Sequence, residues 1–411
     1  MKAIELLNFR RFDIIAKYVF LHFLEEEINC NWGKTVYSNH LKVWNNFQEK
    51  NPPRNCFLDF EHNFLNIIQS IKTMGFNPDV SKIPIMNNSA INGSHRIATS
   101  IYFDKEVETY EAGISEGQYN CSHDYFTKLG LQEDVLDYMA LWYAKLKPNT
   151  FMATIMPGAN FRNMAIFHTI GKKFGCHVVA DQKRKFTKNG SINLLAAIYQ
   201  GESWVGNLQQ GYPGAVEKSN LCNFKAESDV NFVLFEIDNV DNIEKFKNAL
   251  REEIGGQHSV HINDEHWQTE RIAEIAFNKN TIIFLNSRRR TYYSNFEAFL
   301  GIYKDKIKSH NKEDFCISSS AVLSLLGVRD CNDVDFLHKN AYFDLGDKNL
   351  SSHHTEMQYY PVTLHNMIYH PEFYFYHQGF KFLSLPILYQ MKKNRNEEKD
   401  QKDIALIYTL G

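Results

Sequence analysis

Two aspartates near the C-terminus, Asp333 and Asp335, have the chemistry and spacing needed to hold a divalent cation. They lie near the end of the segment 316–338, on the second of its two predicted strands. The pattern of this segment predicts a strand, a small-residue turn at Ser319 and Ser320, a short helix and a second strand. Side chains two positions apart on a strand point to the same face, so both carboxylates would lie together. Carboxylate oxygens are preferred Mg²⁺ ligands, and the metal could then face a nucleotide's phosphates. The alternative is an aspartate pair in a solvated loop beside an edge strand.

The surrounding residues resemble the motif of nucleotidyltransferases of the DNA polymerase β type. That family has a small-residue turn followed by two aspartates on the next strand, and the positions here are Ser319, Ser320, Asp333 and Asp335, preceded by Arg329 and Asp330. The resemblance continues through residues 380–407, where a strand, a lysine-bearing helix and a basic stretch match at Lys392, Arg395, Lys399, Asp400 and Asp403. It covers the last quarter of the chain and implies that Asp333 and Asp335 are catalytic and bind Mg²⁺. It further implies that Ser319, Ser320 and Lys392 bind nucleotide.

The segment departs from that family in two ways. Its turn is Ser-Ser-Ser without a glycine, which would alter the approach of a phosphate. The family's third carboxylate, on a later strand, has no clear counterpart here. Glu372 precedes the predicted strand 373–376, but His377 and Gln378 follow that strand.

A second candidate site is the sequence Gly93-Ser94-His95-Arg96, where a short predicted strand gives way to a helix. Backbone amides at a helix N-terminus attract anions, and Arg96 adds a fixed charge with a bidentate donor. The segment resembles the D-G-x-H-R motif of the ParB/sulfiredoxin superfamily, which implies that Gly93, Ser94, His95 and Arg96 bind nucleotide phosphate. Asn92 stands where aspartate is usual, and Ser94 stands where sulfiredoxins carry their catalytic cysteine. The alternative is a loop in which Ser94 caps the helix and Arg96 forms a salt bridge.

The central segment 230–286 has a pattern of strand, helix, strand, helix and third strand, which predicts a parallel α/β unit with right-handed crossovers. Ligands of such sheets bind at the carboxyl ends of the strands. His261 and Asp264 fall at one predicted strand end, and Arg288 and Arg290 follow the third predicted strand, 281–285. His261 or Asp264 could therefore act as a general base beside an arginine cluster that binds phosphate. The alternative is a strand end with ordinary polar turn residues.

Composition restricts the possible functions. The chain has 411 residues, 44% of them hydrophobic and 23% charged, which is typical of a globular protein with several domains. A net charge of −3 argues against general nucleic-acid binding, which requires a basic excess. Seven scattered cysteines without a C-x-x-C pair indicate reduced thiols and a cytoplasmic location. We expect no signal peptide and no membrane span.

These observations predict a multidomain protein of the α/β and α+β classes. A helical and ParB/sulfiredoxin-like domain would cover residues 1–130, the central α/β domain 148–296, and the nucleotidyltransferase-like domain 297–411. The predicted function is phosphoryl or nucleotidyl transfer that uses Mg²⁺ and ATP or another nucleoside triphosphate. A looser resemblance to bacterial surface-polysaccharide biosynthesis proteins implies a sugar or polyol acceptor. The alternatives are a nucleotide-binding regulatory or scaffold protein with degenerate sites, and a toxin-like nucleotidyltransferase that modifies tRNA or protein.

Overall fold

A computed structural model describes residues 1–50, 52–113 and 120–410 of the chain. The protein is of mixed α/β type, with many helices and several small sheets. In the described part of the chain, no helix is both long and apolar enough to cross a bilayer. Short 3-10 turns connect many of the elements: Ala3–Leu6, Ser203–Val205, Leu208–Gln210, Val240–Asn242, Ile307–Ser309, Lys312–Asp314, His353–Tyr359 and Tyr408–Leu410.

The N-terminal part is mainly helical, as its apolar periodicity predicts. Its elements are α1 (Asp13–Glu25), α2 (Trp32–Asn45), β1 (Glu49–Lys50), β2 (Pro53–Arg54), α3 (Phe57–Met74), β3 (Ile83–Met86), β4 (Ser89–Ala90), α4 (Ser94–Tyr102), β5 (Thr109–Glu111), α5 (His123–Lys128) and α6 (Glu133–Leu146). Helix α3 buries Phe60, Phe64, Ile68 and Ile71, which recur at helical spacing. It ends at Gly75, whose φ of +78° suits a residue without a Cβ.

The central part holds a four-stranded sheet. Its elements are β6 (Thr150–Ile155), α7 (Met164–Lys172), β7 (Cys176–Thr187), α8 (Lys188–Ile198), α9 (Pro213–Leu221), β8 (Glu227–Ile237), α10 (Ile243–Ile254), β9 (Val260–Ile262), α11 (His266–Ala276), α12 (Lys279–Ser287) and α13 (Ser294–Lys306). The strand order is β7-β8-β6-β9, and each neighbouring pair is antiparallel. This order and connectivity form a split β-α-β arrangement.

The prediction of a parallel central sheet is therefore wrong. The earlier strand β6 lies between β8 and β9, so these two strands run in the same direction without being neighbours. The third predicted strand, 281–285, is also wrong, because these residues belong to helix α12. The Asn278 side chain caps that helix by accepting a hydrogen bond from the backbone N–H of Thr281. A short apolar run does not distinguish a strand from a helix, and the cap decides between them.

The basic run 181–185 lies in strand β7. Strand β8 neutralises two of its lysines, since Lys183 pairs with Asp229 and Lys185 pairs with Glu227. Arg184 is buried and bonds to Glu133 of α6. The run therefore joins the sheet to the N-terminal helices.

The C-terminal part contains a mixed five-stranded sheet. Its elements are β10 (Phe315–Ile317), α14 (Ser319–Leu325), β11 (Val334–His338), β12 (Leu350–Ser352), α15 (Leu364–Tyr369), β13 (Tyr374–His377), β14 (Phe380–Leu383), α16 (Leu385–Arg395) and α17 (Glu398–Ile407). The strand order is β12-β11-β10-β14-β13. The largest apolar core cluster is continuous from the N-terminal helices to this sheet. The central part joins the same cluster, since the ring of Phe284 in α12 stacks on that of Phe375 in β13 with centroids 4.5 Å apart.

Candidate active site

The candidate active site is a pocket of about 430 Å³ in the C-terminal part of the chain. Its wall includes all five residues predicted from the carboxylate motif, its turn and the later helix: Ser319, Ser320, Asp333, Asp335 and Lys392. The register of β10 and β11 explains the convergence, because Ile317 pairs with Phe336. The backbone N–H of Ser318 then donates to the carbonyl of Asp335 at 2.8 Å, which brings the serine turn beside the carboxylates.

The two aspartates form a local negative charge without a matching cation. Asp333 has no salt bridge among the described residues, and Asp335 has only His353, whose Nε2 lies 3.9 Å from Oδ2. Burial, followed by repulsion from the Asp335 carboxylate, raises the pKa of Asp333. Burial also lowers the pKa of His353, so its imidazole adds little positive charge at neutral pH. A divalent cation would therefore relieve the repulsion between the carboxylates, and their oxygens suit Mg²⁺.

Lys392 is the centre of a buried ion-pair network rather than a free phosphate ligand. It is 1% exposed, and its Nζ lies 2.7 Å from Asp403 and 3.3 Å from Asp400. Arg395 binds Asp400 through two hydrogen bonds of 2.8 and 2.9 Å. Burial opposes ionisation of Asp403, but hydrogen bonds from Arg329 and Lys392 outweigh it and lower the pKa of that carboxyl. The network fixes α16 and α17 against the pocket.

Two other cations of the pocket keep exposed surface. Lys399 leaves 65% of its side chain exposed, and Arg329 leaves 33% exposed while it binds Asp403 through two hydrogen bonds. The positive charges of Lys399 and Arg329 lower the pKa of Asp333, so both cations act on the carboxylate pair. An anion that entered the pocket would therefore meet Lys399 and Arg329 more readily than Lys392.

The serine turn takes the backbone shape for which glycine is normally used. Ser319 has φ +55°, in the left-handed region that costs a residue with a Cβ about 1–2 kcal/mol. Ser319 and Ser320 are 6% and 8% exposed and line the pocket. Ser319 thus adopts, without a glycine, a positive φ that glycine adopts most easily.

The structure also shows what occupies the strand beside the aspartates. Strand β12 pairs in parallel with β11, and Ser351 lies opposite Asp335. Glu372, the carboxylate considered from the sequence, precedes β13, which is the edge strand on the other side of the sheet. Within the described residues, no group of three histidine, cysteine or acidic side chains has the geometry of a metal site. The other two carboxylates of the pocket, Glu356 and Asp403, form ion pairs with arginine or lysine side chains.

Sequence reasoning missed the segment 351–356, which supplies Ser351, Ser352, His353, Thr355 and Glu356 to the pocket. Strand β12 is only three residues long and has no recognisable period. The His353 Nδ1 lies 2.6 Å from the Tyr360 hydroxyl, which in turn lies 2.6 Å from the Ser318 hydroxyl. The only sequence signal was a run of polar residues after the aspartates, which is also typical of an ordinary loop.

The N-terminal candidate segment has the predicted strand-turn-helix form, but the side chains of His95 and Arg96 have partners within the protein. Gly93 adopts φ +88° before α4, and its N–H contacts the Asn92 side chain at 2.6 Å. The His95 Nε2 lies 2.7 Å from the Tyr37 hydroxyl, and burial holds the pKa of His95 well below its usual range. Arg96 donates to the carbonyl of Ser81 at 2.8 Å. The described lining of the C-terminal pocket comes from residues 319–403, so residues 93–96 are not part of it.

The central candidates do not form the expected cluster. His261 is 8% exposed, packs against Tyr199 with ring centroids 4.5 Å apart, and has a pKa lowered by burial to about 3. Asp264 forms an ion pair with Lys247 at 3.2 Å.

The two arginines follow helix α12, because the predicted third strand does not exist. Arg288 is buried over the ring of Phe284, and Arg290 donates to the Asn189 side chain at 2.5 Å. Their partners are thus residues other than His261 and Asp264.

No family model matches this sequence, and no similar protein was found among curated proteins or solved structures.

Proposed function

We propose that this protein is a Mg²⁺-dependent transferase that uses ATP or another nucleoside triphosphate to transfer a phosphoryl or nucleotidyl group. The observation that carries the proposal is the carboxylate pair, Asp333 and Asp335, which has no lysine or arginine ion-pair partner among the described residues and shares one pocket with the exposed Lys399 and the partly exposed Arg329. Phosphoryl transfer requires mainly positioning and neutralisation of charge. The carboxylates would hold Mg²⁺, which would supply positive charge to the phosphates when bound. Lys399 and Arg329 would bind phosphate oxygens.

For the acceptor we propose a sugar or polyol of bacterial surface-polysaccharide synthesis. This step rests on the sequence resemblance to surface-polysaccharide biosynthesis proteins. Polar side chains such as Ser351 and Thr355 are available in the wall to bind acceptor hydroxyls. We place the reaction in the cytoplasm, where nucleotides are abundant and where the seven free thiols would stay reduced.

The first test is nucleotide binding measured by thermal shift, with ATP, CTP, GTP and UTP, each with and without Mg²⁺. We expect one nucleotide to raise the melting temperature only when Mg²⁺ is present, because a ligand that binds the native state stabilises it. The double variant Asp333→Asn/Asp335→Asn should lose this shift. The matched control is Asp305→Asn, at an exposed aspartate of α13 that pairs with Lys308. Loss of the shift in the control, or its retention in the double variant, would refute the site.

A second variant, Arg96→Ala, separates the two candidate segments. We expect it to keep the Mg²⁺-dependent shift, because Arg96 bonds to Ser81 and does not line the pocket. Loss of the shift in Arg96→Ala alone would move the nucleotide to the N-terminal segment. Labelled ATP then distinguishes the reactions, since phosphoryl transfer moves the γ-phosphate to the acceptor and nucleotidyl transfer moves the α-phosphate and releases pyrophosphate.

A second candidate function is a nucleotide-binding regulatory or scaffold protein. One observation favours it: the residue opposite Asp335 on the neighbouring strand β12 is Ser351 rather than a further carboxylate. Retained nucleotide binding without release of phosphate or pyrophosphate, tested with sugar and polyol acceptors, would support this candidate over the transferase.

A further inference from the structure

A second pocket, of about 320 Å³, lies where the N-terminal, central and C-terminal parts of the chain meet. Helices α2 and α6 contribute Trp32 and Asp134, the start of α12 contributes Lys279 and Ile283, and the turn before β13 contributes Glu372. We call it the Trp32 pocket. It shares no residue with the candidate active site, whose strand β12 lies at the opposite edge of the sheet from β13. Small-molecule sites occur preferentially at such junctions between structural units.

Hydrogen bonds and a ring contact hold the wall of the Trp32 pocket in place. The Asn280 Nδ2 donates to the carbonyl of Glu372 at 2.7 Å and to that of Tyr374 at 3.2 Å. The rings of Trp32 and His370 lie 4.4 Å apart on the same side of the pocket. These contacts tie α12 to the turn before β13.

The pocket combines an apolar wall with an excess of negative charge. Ile283 is 61% exposed although it lies within helix α12, and Phe277 and Pro371 extend the same apolar wall. Asp137 at the base is neutralised by Arg184. Two exposed carboxylates remain in the wall, Asp134 and Glu372. The wall has one lysine, Lys279, which forms ion pairs with Asp134 and, at 3.4 Å, with Glu133 outside the pocket.

The remaining wall adds no positive charge. Burial lowers the pKa of His370, which favours the neutral imidazole. Glu372 has no ion-pair partner in the part of the chain that the structure describes. A molecule with a positive charge would meet Glu372 and Asp134 at the rim, and its hydrophobic part would cover Ile283.

We propose that the Trp32 pocket binds an organic ammonium ion with a hydrophobic body, at a site separate from the candidate active site. The apolar wall selects the body, and the excess of carboxylates over cations, with Glu372 unpaired among the described residues, selects the charge. An anion with the same body would be repelled by the same groups. The proposal does not depend on the proposed transferase function, because the two pockets have no residue in common.

The test uses two probes that share a phenyl body and differ in charge, phenethylamine and phenylpropionate. Ligand-detected NMR on the full chain should show binding of the amine and much weaker binding of the acid. Ile283→Arg should abolish amine binding, because it places a cation over the apolar wall. Glu372→Gln should weaken it about threefold, the effect of removing one exposed charge pair.

The matched control is Leu58→Arg, which makes the same change at an apolar residue of α3 that is 65% exposed. It should bind phenethylamine as the wild type does. Both Ile283 and Leu58 are exposed, so circular dichroism should show both variants folded. Equal binding of the two probes, binding of neither, or amine binding unchanged in Ile283→Arg would overturn the proposal. Binding that is lost equally in Leu58→Arg would also overturn it, because the amine would then not recognise this pocket.

Discussion

Ser351 lies opposite Asp335 across the parallel strands β11 and β12, and its hydroxyl donates a 2.7 Å hydrogen bond to the carboxylate Oδ1. This serine occupies the nearest strand position from which a further carboxylate could reach the aspartate pair. The hydrogen bond holds the Asp335 carboxylate in place without adding charge. The pair thus keeps a charge that a single divalent cation can balance.

We predict that Ser351→Asp strengthens Mg²⁺ binding and destabilises the metal-free protein. A third carboxylate beside Asp333 and Asp335 adds like-charge repulsion of about 1 kcal/mol or more when no metal is present. Denaturant unfolding with and without Mg²⁺ measures both effects. Ser351→Asn is the control, because it changes size similarly but adds no charge. If both variants respond equally to Mg²⁺, the serine is not beside the metal position.

The serine turn gives a prediction about backbone strain. Ser319→Gly should be more stable than Ser320→Gly by about 1–2 kcal/mol, because glycine relieves the left-handed strain only at position 319. The two changes remove the same side chain at neighbouring buried positions, so each is the control for the other. Chemical denaturation of the pair checks the difference. Equal stabilities would show that Ser319 does not carry this strain.

The two lysines of the candidate active site should have separable roles. Lys392→Met should lower the free energy of unfolding by about 3 kcal/mol, because it leaves buried Asp400 and Asp403 with fewer charge partners. Lys399→Met should change stability by no more than about 0.5 kcal/mol, because Lys399 is exposed.

Lys399→Met should nevertheless weaken nucleotide binding, which isothermal titration calorimetry would measure. The stabilities of both variants come from urea unfolding. A stable Lys392→Met protein that no longer binds nucleotide would instead assign the phosphate contact to Lys392.

A buried histidine predicts a loss of stability in weak acid. The pKa of His261 is about 3 in the native protein, against an ordinary value of 6.5, because burial disfavours its charged form. Below about pH 6.5 the unfolded state therefore binds the proton first, and native stability falls as the pH falls. For His261 the loss between pH 7 and pH 5 is about 2 kcal/mol.

The variant His261→Gln should lose correspondingly less stability than the wild type over this pH range. His62→Gln is the control, since His62 lies on the exposed face of α3 and should leave the dependence unchanged. Urea unfolding at pH 7 and pH 5 provides the comparison. An identical pH dependence in His261→Gln and the wild type would contradict the buried, neutral state of His261.

Local patterns in the sequence were sufficient for much of the C-terminal part. The alternation around residues 315–338 predicts β10, α14 and β11, and the structure has all three. The spacing of Asp333 and Asp335 predicts two carboxylates on one side, and both line one pocket. Arg329, which precedes the aspartates, and Lys392 and Lys399 of the segment 380–407 lie at the same pocket, although the sequence did not show that Lys392 is buried.

The central part shows where local pattern fails. Strand and helix periods predicted β8, α10, β9 and α11, but they carry no information on which strand lies next to which. Strand β6, distant in sequence, pairs with both β8 and β9 and makes the sheet antiparallel. The segment 281–285 was predicted as a strand because its apolar run is short, and the Asn278 cap makes it a helix.

The sequence alone determined the carboxylate pair and the turn before it, because residue type and a period of two are local properties of the chain. Tertiary structure alone decided that Ser351 faces Asp335, that Glu372 belongs to the Trp32 pocket, and that His95 bonds to Tyr37. These are contacts between segments far apart in the chain. They depend on strand order and helix packing, which arise from burial of apolar surface throughout the protein rather than from any short stretch of residues.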